Sequence, residues 1–362
     1  MVAVSPASER ADDTGAARAD DDRPVVERTA VEDGTWYSID HPSAVGGVRR
    51  AASAAAVRLG LGDERAAEVG LVVSELATNQ CRHAGSGSVL VRVRRTGHDA
   101  VLDVLAVDAG PGMRDLSSAM RDGMSTRGTL GIGLGTLTRL TSAWDAWTAP
   151  GRGTVVAAVF AAPGVPPRLD AATGVTRPMT GQGVCGDAFA VRRDDDVTTL
   201  LVADGLGHGP LAAAASGAAV RAFHDAPAGP PVALLQRVHT ALGGTRGAAV
   251  AVAQLVGGTL RYTGLGNISG TAQGERGRGL VSHPGIAGSH GRSLRETTYP
   301  VAPGDVVVMH SDGLVDRWSL ADYPGLAARS PLVVSGVLLR DLGVRRDDAC
   351  VAVLPVRGTG PA

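Results

Sequence analysis

Residues 161–176, Ala-Ala-Pro-Gly-Val-Pro-Pro-Arg-Leu-Asp-Ala-Ala-Thr-Gly-Val-Thr, hold three prolines and show no apolar period. Proline fixes its own φ and donates no backbone hydrogen bond, so it interrupts regular structure. Residues 162–176 therefore read as a linker, and the stretches on either side must each bury their own core. At 362 residues with 44% hydrophobic side chains, the chain can supply two.

The first stretch begins late. Residues 1–33 are polar, contain the run Asp20-Asp21-Asp22, and read as a disordered leader that buries too little to offset its ordering entropy. Order is expected from Thr35-Trp36-Tyr37-Ser38-Ile39, a short strand. A helix over 43–60 follows and ends at Gly60; a second opens with Asp63-Glu64, acids suited to a helix N-terminus. The second helix carries Ala66, Val69, Leu71, Val72, Leu76 and Ala77 as an apolar stripe at helical spacing, with Leu71, Val72, Leu76 and Ala77 marking its buried side. Strands over 88–94 and 100–108, a helix over 133–143 and a strand over 154–160 complete a two-layer α/β sandwich spanning 34–161. Beyond the linker, 177–357 is strand-rich, with strands near 187–192, 197–203, 248–255, 259–264, 305–310 and 350–354. Helices are expected near 210–224 and 231–242.

Composition removes several functions. The formal net charge is −1 and aromatics make up 3%, which argues against nucleic-acid binding by clustered cations or stacking platforms. All 35 basic side chains are Arg, so the phosphate-binding lysine of a P-loop is missing. Cys81, Cys185 and Cys350 are scattered and read as reduced thiols. No apolar run approaches the ~18 residues of a membrane span. The N-terminus lacks the cationic, apolar pattern of a signal peptide. These features point to a cytoplasmic protein without membrane contact.

Chemistry concentrates in the second half in five motifs: Cys185-Gly186-Asp187, Val202-Ala203-Asp204-Gly205-Leu206-Gly207-His208-Gly209, Gly264-Leu265-Gly266-Asn267-Ile268, His310-Ser311-Asp312-Gly313-Leu314 and Arg346-Asp347-Asp348-Ala349. Singly, an Asp-Gly pair is an ordinary turn. In four motifs, however, an Asp stands at or just beyond the end of an apolar strand run, where a carboxylate is held rigidly near solvent. Several converging carboxylates repel one another unless hard divalent cations neutralise them. The ordered set resembles the SpoIIE and RsbX branch of the PPM-type phosphatases over about 177–356. That resemblance implies a β-sandwich flanked by helices, hydrolysis of phosphoserine or phosphothreonine, and two Mn²⁺ or Mg²⁺ ions. It further implies Asp187, Asp204, Asp312 and Asp347 as ligands, with Asp204 bridging and activating water and the Gly205 carbonyl contributing. Asp348 would support the ligands, and Thr245-Arg246-Gly247-Ala248 and Gly266-Asn267 look like internal landmarks of the family. His208 reads as a loop residue, with acid–base action on the leaving group as the alternative, and Cys185 and Cys350 as core thiols.

The first half carries Glu75-Leu76-Ala77-Thr78-Asn79, Asp108-Ala109-Gly110-Pro111-Gly112, Gly131-Ile132-Gly133-Leu134-Gly135 and Gly151-Arg152-Gly153-Thr154. Glu75 and Asn79, four apart, share one helix face. Glycine amides opening a helix suit phosphates, and an Asn carboxamide oxygen suits Mg²⁺. Order and spacing resemble the GHKL ATP-binding fold, specifically the anti-sigma and RsbT-like serine kinases, over about 36–160. Met120-Arg121-Asp122-Gly123-Met124-Ser125-Thr126 strengthens that likeness. It implies ATP with Mg²⁺, Glu75 as general base, Asn79 on Mg²⁺ and Asp108 reading adenine. Gly110, Gly112 and Thr154 would complete the nucleotide pocket, and Gly131, Gly133 and Gly135 would wrap the phosphates. His83 would pack or face substrate rather than accept phosphate.

Together the resemblances imply a regulator that writes and erases phosphate on a STAS-domain phosphoprotein, an anti-anti-sigma or stressosome component, with a sigma factor or downstream phosphatase as a further partner. Three other readings stay open: a phosphatase whose ATP-binding domain only senses nucleotide or docks a partner, a module that sequesters a sigma factor, and a scaffold in which both sites are degenerate. The sequence assigns no oligomeric state.

Overall fold

The computed structural model describes residues 26–31, 34–114, 135–274, 277–289 and 294–358. Its first strand, β1 (Val26–Val31), corrects the expectation of a disordered leader over its last residues. β2 (Thr35–Ile39) follows, and both strands lie antiparallel along β3 (Gly87–Thr96). Between β2 and β3 run α1 (Pro42–Arg58) and α2 (Asp63–Asn79). Pro42 sits at the first helical position of α1, and the His41 ring accepts from the Ser43 amide, so a free N–H of the first turn is satisfied. Gly60 and Gly62, at φ +81° and +84°, make the turn into α2, a conformation that side chains with a Cβ rarely adopt.

The two helices press Val48, Ala52, Ala56, Val69, Val73 and Ala77 onto one face of β3, β4 (Asp99–Asp108) and β6 (Thr154–Ala161), whereas Leu71, expected on the buried side, is exposed because it lies off the face that carries Val69, Val73 and Ala77. Before β6 come α3 (Gly135–Leu140) and β5 (Ala143–Thr148). The helix expected to run to 143 stops at Leu140, and Ala143–Thr148, with Trp144 and Trp147, forms an edge strand paired with β6. This is the expected two-layer α/β sandwich. The linker is not free chain throughout: its last residues form β7 (Thr173–Arg177), paired with a strand of the second half.

In that half β8 (Asp187–Asp194) and β9 (Val197–Gly205) form a hairpin. Two helices follow, α4 (Pro210–Asp225) and α5 (Pro231–Ala241), both opened by proline. β10 (Ala248–Val256), β11 (Thr259–Leu265), β12 (Ser269–Gln273), β13 (Arg278–Leu280), β14 (Thr297–Pro300) and β15 (Val306–His310) come next. The chain ends on α6 (Pro331–Leu342) and β16 (Ala349–Pro355).

A five-stranded sheet, β13-β12-β15-β16-β7, stacks on β8–β11, with Phe189, Leu200, Tyr262, Met309 and Cys350 between them. α4 and α5 cover the other face of β8–β11. The second half is therefore the β-sandwich with flanking helices expected from sequence.

The halves are joined twice. β1 pairs with β8 on one side and β3 on the other, so an 11-stranded sheet of order β14-β11-β10-β9-β8-β1-β3-β4-β6-β5, with β2 beside β3, runs through both. α6 is the second join. Pro331–Leu339 are buried, against β7 and β16 on one side and the open face of β4, β5 and β6 on the other. Leu90, Leu105, Trp147 and Val155 share one core there with Val308, Val334, Val337 and Val351. On the same face Asp103 lies between Arg92 and Arg94, all buried, while Arg92 also donates to the Gly174 carbonyl and Thr173 Oγ1 on β7. No helix among the described residues is long and apolar enough to cross a membrane.

Candidate active sites

The carboxylate site is assembled by strand ends. Asp187 opens β8 and Asp204 nearly closes β9, and antiparallel pairing sets them directly opposite one another. Asp312 lies two residues beyond β15 and Asp347 two before β16, neighbours in the facing sheet. Stacking the sheets brings the four together at one end of the sandwich. Asp204, Asp312 and Asp347 line a cleft of about 780 Å³ with His208, Asn267 and Arg346. Asp187 lies beneath it, 5% exposed, accepting a 2.6 Å hydrogen bond from Ser311 Oγ.

The turns beside these acids are packed tightly enough to require glycine. A Cβ on Gly313 would stand 1.9 Å from the Asp348 carbonyl oxygen, and one on Gly205 2.2 Å from that of Ala212. Gly247, from the Thr245–Ala248 landmark, accepts from the Leu206 amide and so fixes the loop after Asp204. Asn267 donates to Asp312 Oδ2 at 2.7 Å. Asp348 spends both oxygens on backbone, accepting from the Met179 and Gly186 amides at 2.7 and 2.8 Å. It holds the loops that carry the other acids. His208 is an exposed residue at the cleft edge.

The electrostatics follow from crowding. Burial and then the neighbouring Asp312 push Asp204 up to about 7. Burial and then Asp204 raise Asp187 well above the usual carboxylate range, and burial and Asp347 raise Asp312. Among the described residues no three side chains already stand as a closed ligand cage. Asp204 stands between Asp187 and Asp312, so the carboxyls crowd one another at close quarters. An all-oxygen set under such repulsion fits hard divalent ions. Burial raises both Cys185 and Cys350, which leaves them as thiols and poor nucleophiles.

The second site lies at the end of β4. Asp108 Oδ1 accepts from the Gly110 and Thr154 amides at 2.9 and 3.1 Å, while burial raises its pKa. Gly112, at φ +64°, passes so close that a Cβ would stand 2.0 Å from the Ala149 carbonyl oxygen. Gly153, at φ +70°, has the same relation to the Asp108 carbonyl at 2.1 Å. Gly110 abuts Ala84 at the end of the π-helical turn Gln80–Ala84, which continues α2 beyond Asn79. Asp108, Gly110, Gly112 and Thr154 are thus brought together next to the helix that carries Glu75 and Asn79. Burial raises the Glu75 carboxyl, as suits a base. Gly135 opens α3; Gly131, Gly133 and Met120–Thr126 lie outside the described residues.

Residues 40–160 match the histidine kinase-like ATPase domain family, and residues 194–354 match the stage II sporulation protein E family. Over 104 residues the chain is 35% identical to the serine/threonine-protein kinase RsbT of Bacillus subtilis (strain 168), covering 29% of this chain and 78% of that protein. The chain belongs to the RsbT family. It fuses that domain to a SpoIIE-type, metal-dependent serine/threonine phosphatase domain. The phosphoserine phosphatase RsbX of the same organism is 25% identical over 138 residues, 37% of this chain and 69% of RsbX. A crystal structure of RsbX with magnesium overlays at TM-score 0.42 and 21% identity, covering 50% of this chain and 92% of that one. A structure described as "The bacterial stressosome: a modular system that has been adapted to control secondary messenger signaling" overlays at TM-score 0.46 and 30% identity, covering 51% and 97%.

Sequence reasoning missed Ser311, which joins Asp187 to the Cys350 amide, and Arg340, which donates to the Asp108 carbonyl from α6. The position of Ser311 inside a quoted motif was the available signal. Arg340 had none.

Proposed function

We propose that this RsbT-family fusion is a cytoplasmic, bifunctional partner-switching regulator. Its C-terminal domain removes phosphate from serine or threonine of a STAS-domain protein, and its N-terminal domain phosphorylates serine with Mg²⁺-ATP. The observation that carries the reading is the convergence of Asp204, Asp312 and Asp347 on one cleft, with Asp187 beneath. Asp187, Asp204, Asp312, Asp347 and the Gly205 carbonyl would hold two Mn²⁺ or Mg²⁺ ions. Held there, such ions would supply Lewis acidity to a water and to phosphoryl oxygens, the chemistry that phosphoester hydrolysis requires. Asn267 orients Asp312, Ser311 orients Asp187, and the guanidinium of Arg346 at the cleft wall suits a phosphate oxygen.

In the N-terminal domain Asp108 would take the adenine amino group, and Gly110, Gly112 and Thr154 would shape the pocket around it. Asn79, Gly131, Gly133 and Gly135 would hold Mg²⁺ and the phosphates. Glu75 would accept the proton of the substrate hydroxyl. Phosphate adds nearly two negative charges to a serine, enough to change which partner a STAS surface binds. A sigma factor or a downstream phosphatase is the partner released or captured by that change.

The test is Mn²⁺-dependent phosphate release from a phosphoserine STAS protein, with Asp204→Ala beside the wild type. Release that needs both Mn²⁺ and Asp204 is expected. A folded wild type inert toward this substrate and toward a simple phosphoester would end the phosphatase reading.

A further inference from the structure

The helix that joins the domains touches both candidate sites. At its N-terminal end, the Asp145 carboxylate on β5 accepts from the Ser330 amide at 2.6 Å and from Arg329 at 3.3 Å. At its C-terminal end Arg340, its side chain 7% exposed, donates through Nη1 to the Asp108 carbonyl at 3.1 Å. The same guanidinium lies 5.6 Å from the Trp147 ring centroid and is gripped by Asp341 at 2.6 and 3.0 Å. The turn that supplies the Thr154 amide to Asp108 also reaches across, with Arg152 stacked 5.1 Å over Tyr323.

The segment leaving the helix runs into the carboxylate site. Val344 N donates to the Gly313 carbonyl at 2.7 Å, and Val315 N to the Leu342 carbonyl at 3.0 Å. Gly313 follows Asp312 and is wedged against Asp348, so it cannot shift without moving that loop. From Arg340 to Asp347 is seven residues, at most about 25 Å of extended chain. A displacement at the Asp108 carbonyl therefore has a short route to two of the four clustered acids, from the last turn of a helix anchored by buried Pro331–Leu339 and across the backbone hydrogen bonds at Leu342 and Gly313.

We propose that the nucleotide site is an effector site for the phosphatase: occupancy at Asp108 acts through Arg340 and α6 to order the Asp312–Val315 and Val344–Asp347 segments. The inference rests on the reading that the N-terminal domain binds ATP, and adds a use for that binding independent of kinase chemistry. The coupling is positive, because a ligand that fixes the Asp108–Gly112 loop also fixes Arg340. The segments it steadies then need less ordering when a divalent ion binds. Reciprocity requires the metal to tighten nucleotide binding by the same factor.

The experiment uses the full chain and a fluorescent, non-hydrolysable ATP analogue with Mg²⁺. Hydrogen exchange is followed by mass spectrometry with and without the analogue, at a concentration that saturates the fluorescence signal. The amides of Val315 and Val344 are expected to exchange at least fivefold more slowly with nucleotide bound. The Mn²⁺ half-saturation for hydrolysis of a simple phosphoester should fall by a similar factor. Arg340→Ala should still bind the analogue and hydrolyse the phosphoester, with neither change. Arg340→Lys, which keeps the charge and the stem over Trp147 but cannot grip Asp341 and Asp108 together, should weaken both changes and stands in if Arg340→Ala does not fold. Saturable binding with unchanged exchange at 312–315 and 344–347 overturns the proposal, as does undiminished coupling in the Arg340 variants. Failure of the wild type to bind the analogue overturns the ATP-binding reading itself, a different result from binding without a response.

Discussion

Asp204 shows how one residue couples protons, metal and stability. Its ordinary pKa in an unfolded chain is about 4. In the fold, burial and Asp312 push it up to about 7. The native state therefore holds a proton between pH 4 and 7 that the unfolded chain releases, so stability from this group is present below pH 4 and lost as pH rises to 7. A divalent ion replaces that proton, and its binding strengthens with pH over the same window. With chelator present, the melting temperature should be lower at pH 8 than at pH 5; with Mn²⁺ present, the increment should be larger at pH 8. Asp204→Asn, which cannot ionise, should flatten most of both trends in thermal melts. The four acids were legible in the sequence because each ends or precedes an apolar strand run. Their mutual distances were not, since these depend on two sheets meeting face to face.

At the scale of elements, α6 decides most. No amphipathic stripe marks Pro331–Leu339, because a helix buried on every side has no polar face to give it a period. α4 and α5, with one covered face each, were legible for the opposite reason. Arg92 gives the same lesson in a strand. Its alternation with Val91 and Val93 suggests solvent, yet its side chain is buried against Asp103 and β7. The short strands β12, β13 and β14 carry too few apolar residues to stand out. Gly336 sits where α6 crosses β4 and β6, and a Cβ there would already lie 3.0 Å from Leu105 Cδ2 and 3.1 Å from Val155 Cγ1. Gly336→Val adds a branched side chain to this contact and should cost about 1–3 kcal/mol by overpacking. Urea unfolding of the full chain measures it; an unchanged midpoint would show that the layers separate without penalty.

Over the whole molecule the two domains are not beads on a tether. β1 ties the 11-stranded sheet across them, and the core around α6 draws Leu105, Trp147 and Val155 from one side and Val308, Val337 and Val351 from the other. Asp103 adds a constraint of a different kind. It pairs with two buried guanidiniums, one of which reaches β7, so pulling the domains apart would expose an apolar face and leave Arg92 without its Gly174 and Thr173 partners. Burial of this kind cannot be lost from one domain and kept by the other. The full chain should therefore unfold in a single calorimetric transition whose van't Hoff and calorimetric enthalpies agree. Mn²⁺ and a non-hydrolysable ATP analogue, though bound in different domains, should each raise that one transition, because any ligand of the native state stabilises everything that unfolds with it. Two separate transitions, each responding to its own ligand, would mean that the shared core around α6 does not hold the domains together and that the route from Asp108 to Asp312 is broken in solution.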